Sequence, residues 1–153
     1  PRVTALFADA LAGLDPARQP ERDAAWRALC ARLDGEFTAR VERVVRLTET
    51  IVEVVVKAPA AARHFHPGQF YRLQNFESRA PRVTVDGRDT PLLTEALALT
   101  GAWVDPEQGL LSMIALEMGA SSRLVAYLKP GEPVVVMGPT GAPTEIPEGQ
   151  NVV

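Results

Sequence analysis

From Glu36 onward, hydrophobic and polar residues alternate along the chain in a series of short segments. In the first segment, Phe37, Ala39 and Val41 alternate with polar residues, and a period of two is typical of strands with one buried face. Turns that contain glycine or proline separate the segments, most clearly at residues 105–109. Further strands are predicted at residues 51–57, 69–76, 81–85, 92–105, 110–117 and 134–136. This pattern predicts a mainly β fold: a closed antiparallel barrel of about six strands over residues 37–141.

The first 35 residues follow a helical period instead. Their apolar residues form two stripes at helical spacing, which are Leu6, Phe7, Ala10, Leu11 and Leu14, and then Trp26, Leu29, Cys30 and Leu33. Asp15-Pro16 and Gln19-Pro20 interrupt the pattern between the stripes, so we expect an N-terminal helical hairpin. The second stripe is interpreted as a buried packing face. The hairpin either packs on the barrel or belongs to a linker from a preceding domain.

Residues 117–141 combine a strand end, a glycine, a short helix and a valine-rich strand. Gly119 is expected to permit a sharp turn that a residue with a Cβ would resist. Ser121 and Ser122 are expected to cap the helix, because a short hydroxyl side chain accepts from the free N–H groups of a first turn. Free N–H groups at a helix start favour an anion such as a diphosphate, and Arg123 is placed to pair with a phosphate.

Composition narrows the class of protein. The chain has 153 residues, 46% hydrophobic and 23% charged, which predicts a globular domain with a sizeable core. A net charge of −3 gives no support to nucleic-acid binding. Cys30 is the only cysteine, so an internal disulfide is excluded, and a single thiol fits a reducing, cytoplasmic compartment. No apolar run approaches the roughly 18 residues that would span a bilayer.

The sequence contains few residues that point to metal binding or hydrolysis. His64 and His66 lie on the same side if their segment is extended. No third ligand is evident, so no metal site is predicted. Ser112 and Thr100 have no identifiable base as a partner, so no catalytic residue is predicted.

The sequence contains the run Gly119-Ala120-Ser121-Ser122, followed by LKPGE at residues 128–132 and GPTG at residues 138–141. This order of motifs resembles the diphosphate-binding part of the flavin domain of the ferredoxin–NADP reductase family. The segment FHPGQF at residues 65–70 is similar to the element that opens a strand of that barrel. The resemblance covers residues 37–153. It implies a six-stranded Greek-key barrel that binds FAD, with the Gly119–Ser122 run and Arg123 at the diphosphate.

One stretch departs from the family pattern. The family carries arginine, any residue, tyrosine and serine where this chain has Glu95-Ala96-Leu97-Ala98. A carboxylate thus replaces a phosphate-binding arginine, and Leu97, in place of the tyrosine on the flavin ring, covers a ring only by dispersion. Tyr71 and Arg72 are candidate substitutes for the missing aromatic ring and cation, and barrel core and surface are their other interpretations. The barrel is therefore either a divergent branch that binds FAD differently or one that has lost its flavin.

The helical spacing and the resemblance together predict a domain organisation. Residues 1–35 form an N-terminal helical segment, residues 36–148 the flavin-domain-like barrel, and residues 149–153 the start of a nicotinamide-nucleotide-binding domain. NAD(P)H is expected to bind in that further domain. These residues by themselves are therefore expected to be inactive and to bind FAD weakly or not at all.

The function implied by the resemblance is electron transfer. The whole protein is expected to be an NAD(P)H-dependent oxidoreductase in which FAD carries the redox chemistry and an iron–sulfur protein or domain is the electron-transfer partner. The alternative is a structural or docking barrel of a multidomain oxidoreductase that has lost flavin binding. Glu95 and Leu97 favour this alternative, whereas the serines at 121 and 122 favour the flavin.

Overall fold

The computed structural model describes residues 16–145. The chain divides into two compact units, Pro1–Gly35 and Glu36–Val153. The described part of the first unit begins with a short 3-10 turn at Pro16–Arg18.

Helix α1 spans Gln19–Phe37, so a helix is confirmed for the second half of the expected hairpin. The first half, at residues 6–14, lies outside the described residues. The prediction that the Trp26 stripe is buried is wrong, because no residue of α1 is buried and the side chains of Trp26 and Leu33 are 64% and 43% exposed. Arg22 precedes Trp26 by four residues, so a charged group interrupts this side of the helix.

Six of the eight strands within residues 16–145 form a closed antiparallel barrel, which confirms the predicted fold class. The strands are β1 (Ala39–Arg46), β2 (Ile51–Lys57), β3 (Phe70–Asn75), β4 (Arg82–Val85), β5 (Arg88–Pro91), β6 (Leu97–Asp105), β7 (Leu110–Leu116) and β8 (Pro133–Thr140). The order around the barrel is β1-β2-β7-β6-β3-β8, and β8 pairs again with β1. Because the β6–β7 hairpin inserts between β2 and β3, the connections are of the Greek-key type.

Two of the connections between barrel strands contain secondary structure of their own. The β2–β3 connection contains helix α2 (Pro59–Arg63), which has proline in its first turn. The missing N–H of proline costs nothing there, because the N–H groups of a first turn have no partner within the helix. The β3–β6 connection holds a 3-10 turn at Glu77–Arg79 and the separate β4–β5 hairpin. The predicted Asp86-Gly87 turn joins β4 to β5, with φ angles of 49° and 74° as a two-residue hairpin turn requires.

The alternating sequence pattern decides which side chains fill the barrel. In β7, Leu111, Met113 and Ala115 are fully buried, whereas Ile114 and Leu116 between and after them are exposed. Each buried aliphatic side chain of this size contributes about 1.5–3 kcal/mol to folding. The core also contains residues from the other strands, among them Val41, Val52, Val54, Val56, Tyr71, Leu73, Leu99 and Val134.

One short helix lies between β7 and β8, as predicted. Helix α3 (Ala120–Leu124) continues into a 3-10 turn at Val125–Tyr127. Val125 is fully buried and Leu128 is 6% exposed, and both belong to the barrel core. The helical segment therefore packs against the barrel through its C-terminal half and leaves its first turn at the surface.

Candidate functional site

The start of α3 is held together by the backbone of Gly119 and the side chain of Ser122. The N–H of Gly119, the N-cap residue, donates to Ser122 Oγ at 3.0 Å, and the Ser122 hydroxyl donates to the Gly119 carbonyl at 3.1 Å. Ser122 is the third residue of the helix and caps it by accepting from the N-cap N–H, so the expectation of a serine cap is confirmed at Ser122, whereas the N-cap residue itself is Gly119. The Ser122 hydroxyl proton is used within this turn.

Gly119 adopts a backbone conformation that any residue can take. Its φ and ψ are −125° and 174°, which is extended, and a Cβ placed there would meet Ser122 Oγ as its nearest neighbour, at 3.9 Å. The expectation that this turn needs glycine is therefore wrong as a statement about the fold. The surface above Gly119 is open.

The first turn of α3 presents backbone N–H groups to the surface. Within a helix the N–H groups of Ala120, Ser121 and Ser122 have no carbonyl four residues earlier to bind. Ala120 and Arg123 are exposed, and Ser121 is half-buried. Because α3 has only five residues, its dipole adds little, and an anion here would depend on individual N–H groups and on the Arg123 guanidinium.

β6 and β7 separate on the side of the barrel where β7 leads into α3. Their pairing stops at Gly101 opposite Met113. In the described strands, β6 residues 97–100 pair only with β3, and β7 residues 114–116 pair only with β2. The facing edges of β6 and β7 therefore carry backbone N–H and C=O groups that no strand satisfies.

An apolar surface on β7 borders this opening. Ile114 and Leu116 point away from the barrel and are 41% and 48% exposed, and Met118, two residues further on, is 80% exposed. We call these three residues the outer strip. Exposed apolar residues that lie together mark binding surfaces more often than scattered ones do. The sequence analysis missed the outer strip, although residues 110–118 are apolar at both alternating sets of positions, which is the signal that a strand has two apolar faces.

The two candidate residues of β6 lie on opposite faces of the strand. Leu97 is half-buried and packs against the barrel core, next to the buried Leu99. This inward packing argues against Leu97 as the cover of a ring outside the barrel. Ala98 is exposed on the outer face. Glu95 and Ala96, just before β6, have positive φ angles of 51° and 55°, a conformation that costs non-glycine residues energy.

Tyr71 lies inside the barrel, which corrects the interpretation that its ring contacts a ligand. Its side chain is 0% exposed, and its hydroxyl donates to the Ala61 carbonyl at 3.0 Å. Burial raises the pKa of Tyr71 to about 12. Arg72 instead is exposed and pairs with Ala98 across β3 and β6, so a cation stands beside Ala98 on the outer face.

An ion pair flanks α3 on its other side. Arg46 donates to both carboxylate oxygens of Glu117 at 2.6 and 3.1 Å, and to the Glu49 carbonyl at 2.8 Å. The hydrogen bond from Arg46 lowers the pKa of Glu117, and the same bond raises the pKa of Arg46. The pair thus neutralises the carboxylate that precedes Met118 and Gly119.

Two further expectations concern metals and membranes. His64 and His66 are both exposed, and His66 Nδ1 lies 3.3 Å from the His64 carbonyl oxygen. Between residues 16 and 145, no three His, Cys, Asp or Glu side chains come together in a way that could hold a metal ion. In the same part of the chain, no helix has the length and apolar character needed to cross a membrane.

Comparisons with known proteins agree with the barrel fold. No protein-family model matches the chain. An uncharacterized protein of Rickettsia prowazekii is 35% identical over 134 residues, which are 88% of this chain and 18% of that protein. A homolog of the electron transfer subunit of dihydroorotate dehydrogenase B (NAD(+)), from Thermotoga maritima, is 25% identical over 122 residues, which are 79% of this chain and 38% of that protein. This chain therefore spans well under half the length of both relatives.

Among solved structures, the NADH-dependent reduced ferredoxin-NADP oxidoreductase, studied for flavin-based electron bifurcation, aligns with a TM-score of 0.56 and 23% identity. The alignment covers 72% of this chain and 35% of that one. The strand order, the short helix before the last strand and this alignment all describe one architecture. By its fold, the chain is a closed antiparallel barrel of the ferredoxin–NADP reductase-like type.

Proposed function

We propose that this barrel binds FAD and is the flavin domain of an NAD(P)H-dependent electron-transfer oxidoreductase. The observation that carries the proposal is the outer strip beside the open edges of β6 and β7. An apolar surface next to strand edges that no other strand pairs with suits a flat ring with polar edges such as isoalloxazine. The names of the Thermotoga homolog and of the aligned oxidoreductase, which refer to electron transfer and to NADH, support the same class of reaction.

The residues of the site fit two parts of such a cofactor, the ring and the diphosphate. Ile114 and Leu116 offer a surface for the ring, and the N–H groups of Ala120 and Ser121, with Arg123, offer donors for the diphosphate. The Arg46–Glu117 pair keeps the neighbouring carboxylate from repelling the phosphates. Bound FAD would supply the electron-transfer chemistry, while these residues bind it, orient it and keep water from one face of the ring.

The remaining parts of the reaction belong to other segments of the protein. NAD(P)H is proposed to bind in a further domain, and an iron–sulfur protein or domain is proposed as the electron-transfer partner. The β6–β7 opening lies at the surface, so a bound ring would stay within reach of both.

A second candidate function is a structural or docking barrel without flavin. Two observations favour it: an exposed carboxylate, Glu95, stands at the position of the family's arginine, and Leu97 packs inward instead of lying on the outer face. On this interpretation, the outer strip would be covered by another part of the protein.

FAD titration of the protein at its natural length, followed by flavin fluorescence, separates the two functions. Ile114→Gln removes apolar surface from the strip and should weaken FAD binding about tenfold. Val83→Gln in the β4–β5 hairpin is the matched control, because Val83 is 40% exposed and Ile114 is 41% exposed. A folded wild-type protein that binds no FAD, or equal affinities for the two variants, would contradict the proposal.

A further inference from the structure

The residues that follow β8 are exposed, but they are held to the turn that precedes β3. Residues 141–145, which we call the exit segment, are all exposed and belong to no helix or strand. The pairing of β8 with β3 ends at Thr140 opposite Phe70. Beyond that point, the Thr144 N–H donates to the Pro67 carbonyl at 2.8 Å. The exit segment is therefore attached to the barrel after the sheet has ended.

Gln69 provides a second attachment for the exit segment. Its side chain donates from Nε2 to the Gly141 carbonyl at 3.0 Å and accepts at Oε1 from the His66 N–H at 3.0 Å. Its backbone N–H donates to the His66 carbonyl at 3.2 Å, and its own carbonyl accepts from the Gly101 N–H at 3.4 Å. Because Gln69 is bonded both within its turn and to β6, its side chain holds Gly141 at a defined place on the barrel.

Gly68 leaves the room that the exit segment needs. It has a φ of 88°, a conformation that glycine adopts without strain, and a Cβ built there would lie 2.9 Å from the Thr144 nitrogen and 3.0 Å from the Thr144 Cβ. At these distances a larger residue would displace the exit segment from the turn. The contact at Thr144 thus depends on a glycine in the turn before β3.

Two attachment points close together in the chain fix a direction as well as a position. Between Gly141 and Thr144 the exit segment contains only Ala142 and Pro143. Proline fixes its own φ and restricts the residue before it, so little freedom is left between the two attachments. The path of the chain from the end of β8 to Thr144 is therefore set by the barrel.

We propose that Gln69 is a positioning residue: by holding the exit segment, it sets the direction in which the chain leaves the barrel and so places the domain that binds NAD(P)H against the flavin. The inference rests on the proposed function. Hydride transfer from NAD(P)H, which is oxidised, to FAD, which is reduced, depends on a close approach of the two rings. A change of direction at the exit segment should therefore slow the transfer without touching the flavin site.

Gln69→Glu in the protein at its natural length tests the inference, because it keeps the acceptor for the His66 N–H and removes the donor to the Gly141 carbonyl. Amide hydrogen exchange at Thr144 should become about two- to tenfold faster. Small-angle X-ray scattering should show a changed arrangement of domains. In FAD-saturated protein, reduction by NADH or NADPH should be about ten- to hundredfold slower, with the affinity for FAD unchanged.

Gln108→Glu is the matched control. Gln108 Nε2 donates to Asp105 Oδ2 at 2.7 Å in the β6–β7 turn, so the same substitution also removes a donor and adds a charge, but away from the exit segment. It should leave the exchange at Thr144, the scattering profile and the reduction rate at their wild-type values.

The outcomes separate this inference from the function on which it rests. If Gln69→Glu leaves the exchange at Thr144 unchanged, or speeds it while scattering and reduction rate stay at wild-type values, the positioning role is overturned and flavin binding by the barrel stands. If the folded wild-type protein binds no FAD, the proposed function itself is overturned. Exchange and scattering need no flavin, so they still decide whether Gln69 directs the exit segment.

Discussion

Arg43 and Trp103 meet across the outside of the barrel, with the Arg43 Cζ 5.6 Å from the centroid of the Trp103 ring. In the sheet, Arg43 pairs with Val55, Val55 with Ser112, and Ser112 with Trp103. Val55 and Ser112 are both 0% exposed, although they point away from the barrel interior. The two large side chains at the ends of this row cover the small ones between them, which explains why β2 is buried on both faces.

Glu53 completes this cluster, and its removal should destabilise the fold. Its Oε1 accepts from the Ser112 hydroxyl at 2.7 Å and from Trp103 Nε1 at 2.8 Å. In Glu53→Ala, the buried Ser112 hydroxyl loses its acceptor, so the free energy of unfolding should fall by about 1–3 kcal/mol in urea denaturation. The same substitution in a Ser112→Ala background should cost less, and an equal cost in both backgrounds would contradict this account.

Thr94 and Asn75 form a buried pair before β6, and breaking it should also destabilise the protein. Thr94 Oγ1 accepts from the Asn75 N–H at 3.1 Å and donates to the Leu73 carbonyl at 3.3 Å. Thr94→Val keeps the shape but leaves the Asn75 N–H unsatisfied, so the free energy of unfolding should fall by about 1–3 kcal/mol. Thr84→Val on the exposed β4–β5 hairpin is the control and should stay within about 0.5 kcal/mol of wild type.

Two glycines should respond differently to alanine. Gly109 has a φ of 67°, and a Cβ there would come within 2.9 Å of Pro59 Cγ, so Gly109→Ala should lower the free energy of unfolding by about 1–3 kcal/mol. Gly119→Ala meets neither obstacle and should leave stability unchanged or raise it by up to about 1 kcal/mol. Urea denaturation of both variants checks the contrast, and a large loss for Gly119→Ala would show that its conformation is more restricted than its φ indicates.

Tyr71 should make stability fall at alkaline pH. Burial raises its pKa from an ordinary value of about 10 to about 12, so the folded state holds the phenol proton longer than the unfolded state does. Its contribution to stability is therefore complete below pH 10 and is lost as the pH rises through 12. Tyr71→Phe should be less stable at neutral pH, because it loses the bond to the Ala61 carbonyl, but its decline above pH 10 should be shallower. Unfolding experiments across this range check the prediction, and an equal decline for Tyr71→Phe and the wild type would contradict it.

Local features of the chain were predictable from sequence because neighbouring residues produce them. The strand that follows the turn at residues 105–109, the Asp86-Gly87 turn and the short helix before β8 all depend on residues close together in the chain, and the structure contains all three. Ser122 was predicted to cap α3 and does so, but its position in the helix was not predicted. A serine side chain can bond forward from the N-cap or back from the third position, and the choice at Ser122 depends on where the helix begins.

The errors about individual side chains have a different cause. Tyr71 was a candidate ligand contact because an aromatic ring can lie against a cofactor, but its position in β3 directs its side chain into the barrel core. Arg46 and Glu117 were not connected in the sequence analysis, since 71 residues separate them. Contacts of this kind exist only after β1, β2 and β7 have paired.

The sequence by itself predicted a strand at residues 110–117, and this stretch has apolar residues at both alternating sets of positions. Only the tertiary structure decided that Leu111 and Met113 fill the barrel while Ile114 and Leu116 lie outside it. The reason is that the two-residue period of a strand shows only which residues share a face. The closure of the sheet into a barrel then selects the face that turns inward. Closure depends on hydrogen bonds between strands far apart in the chain. The outer strip and its opening toward β6 are therefore properties of the barrel and not of the strand.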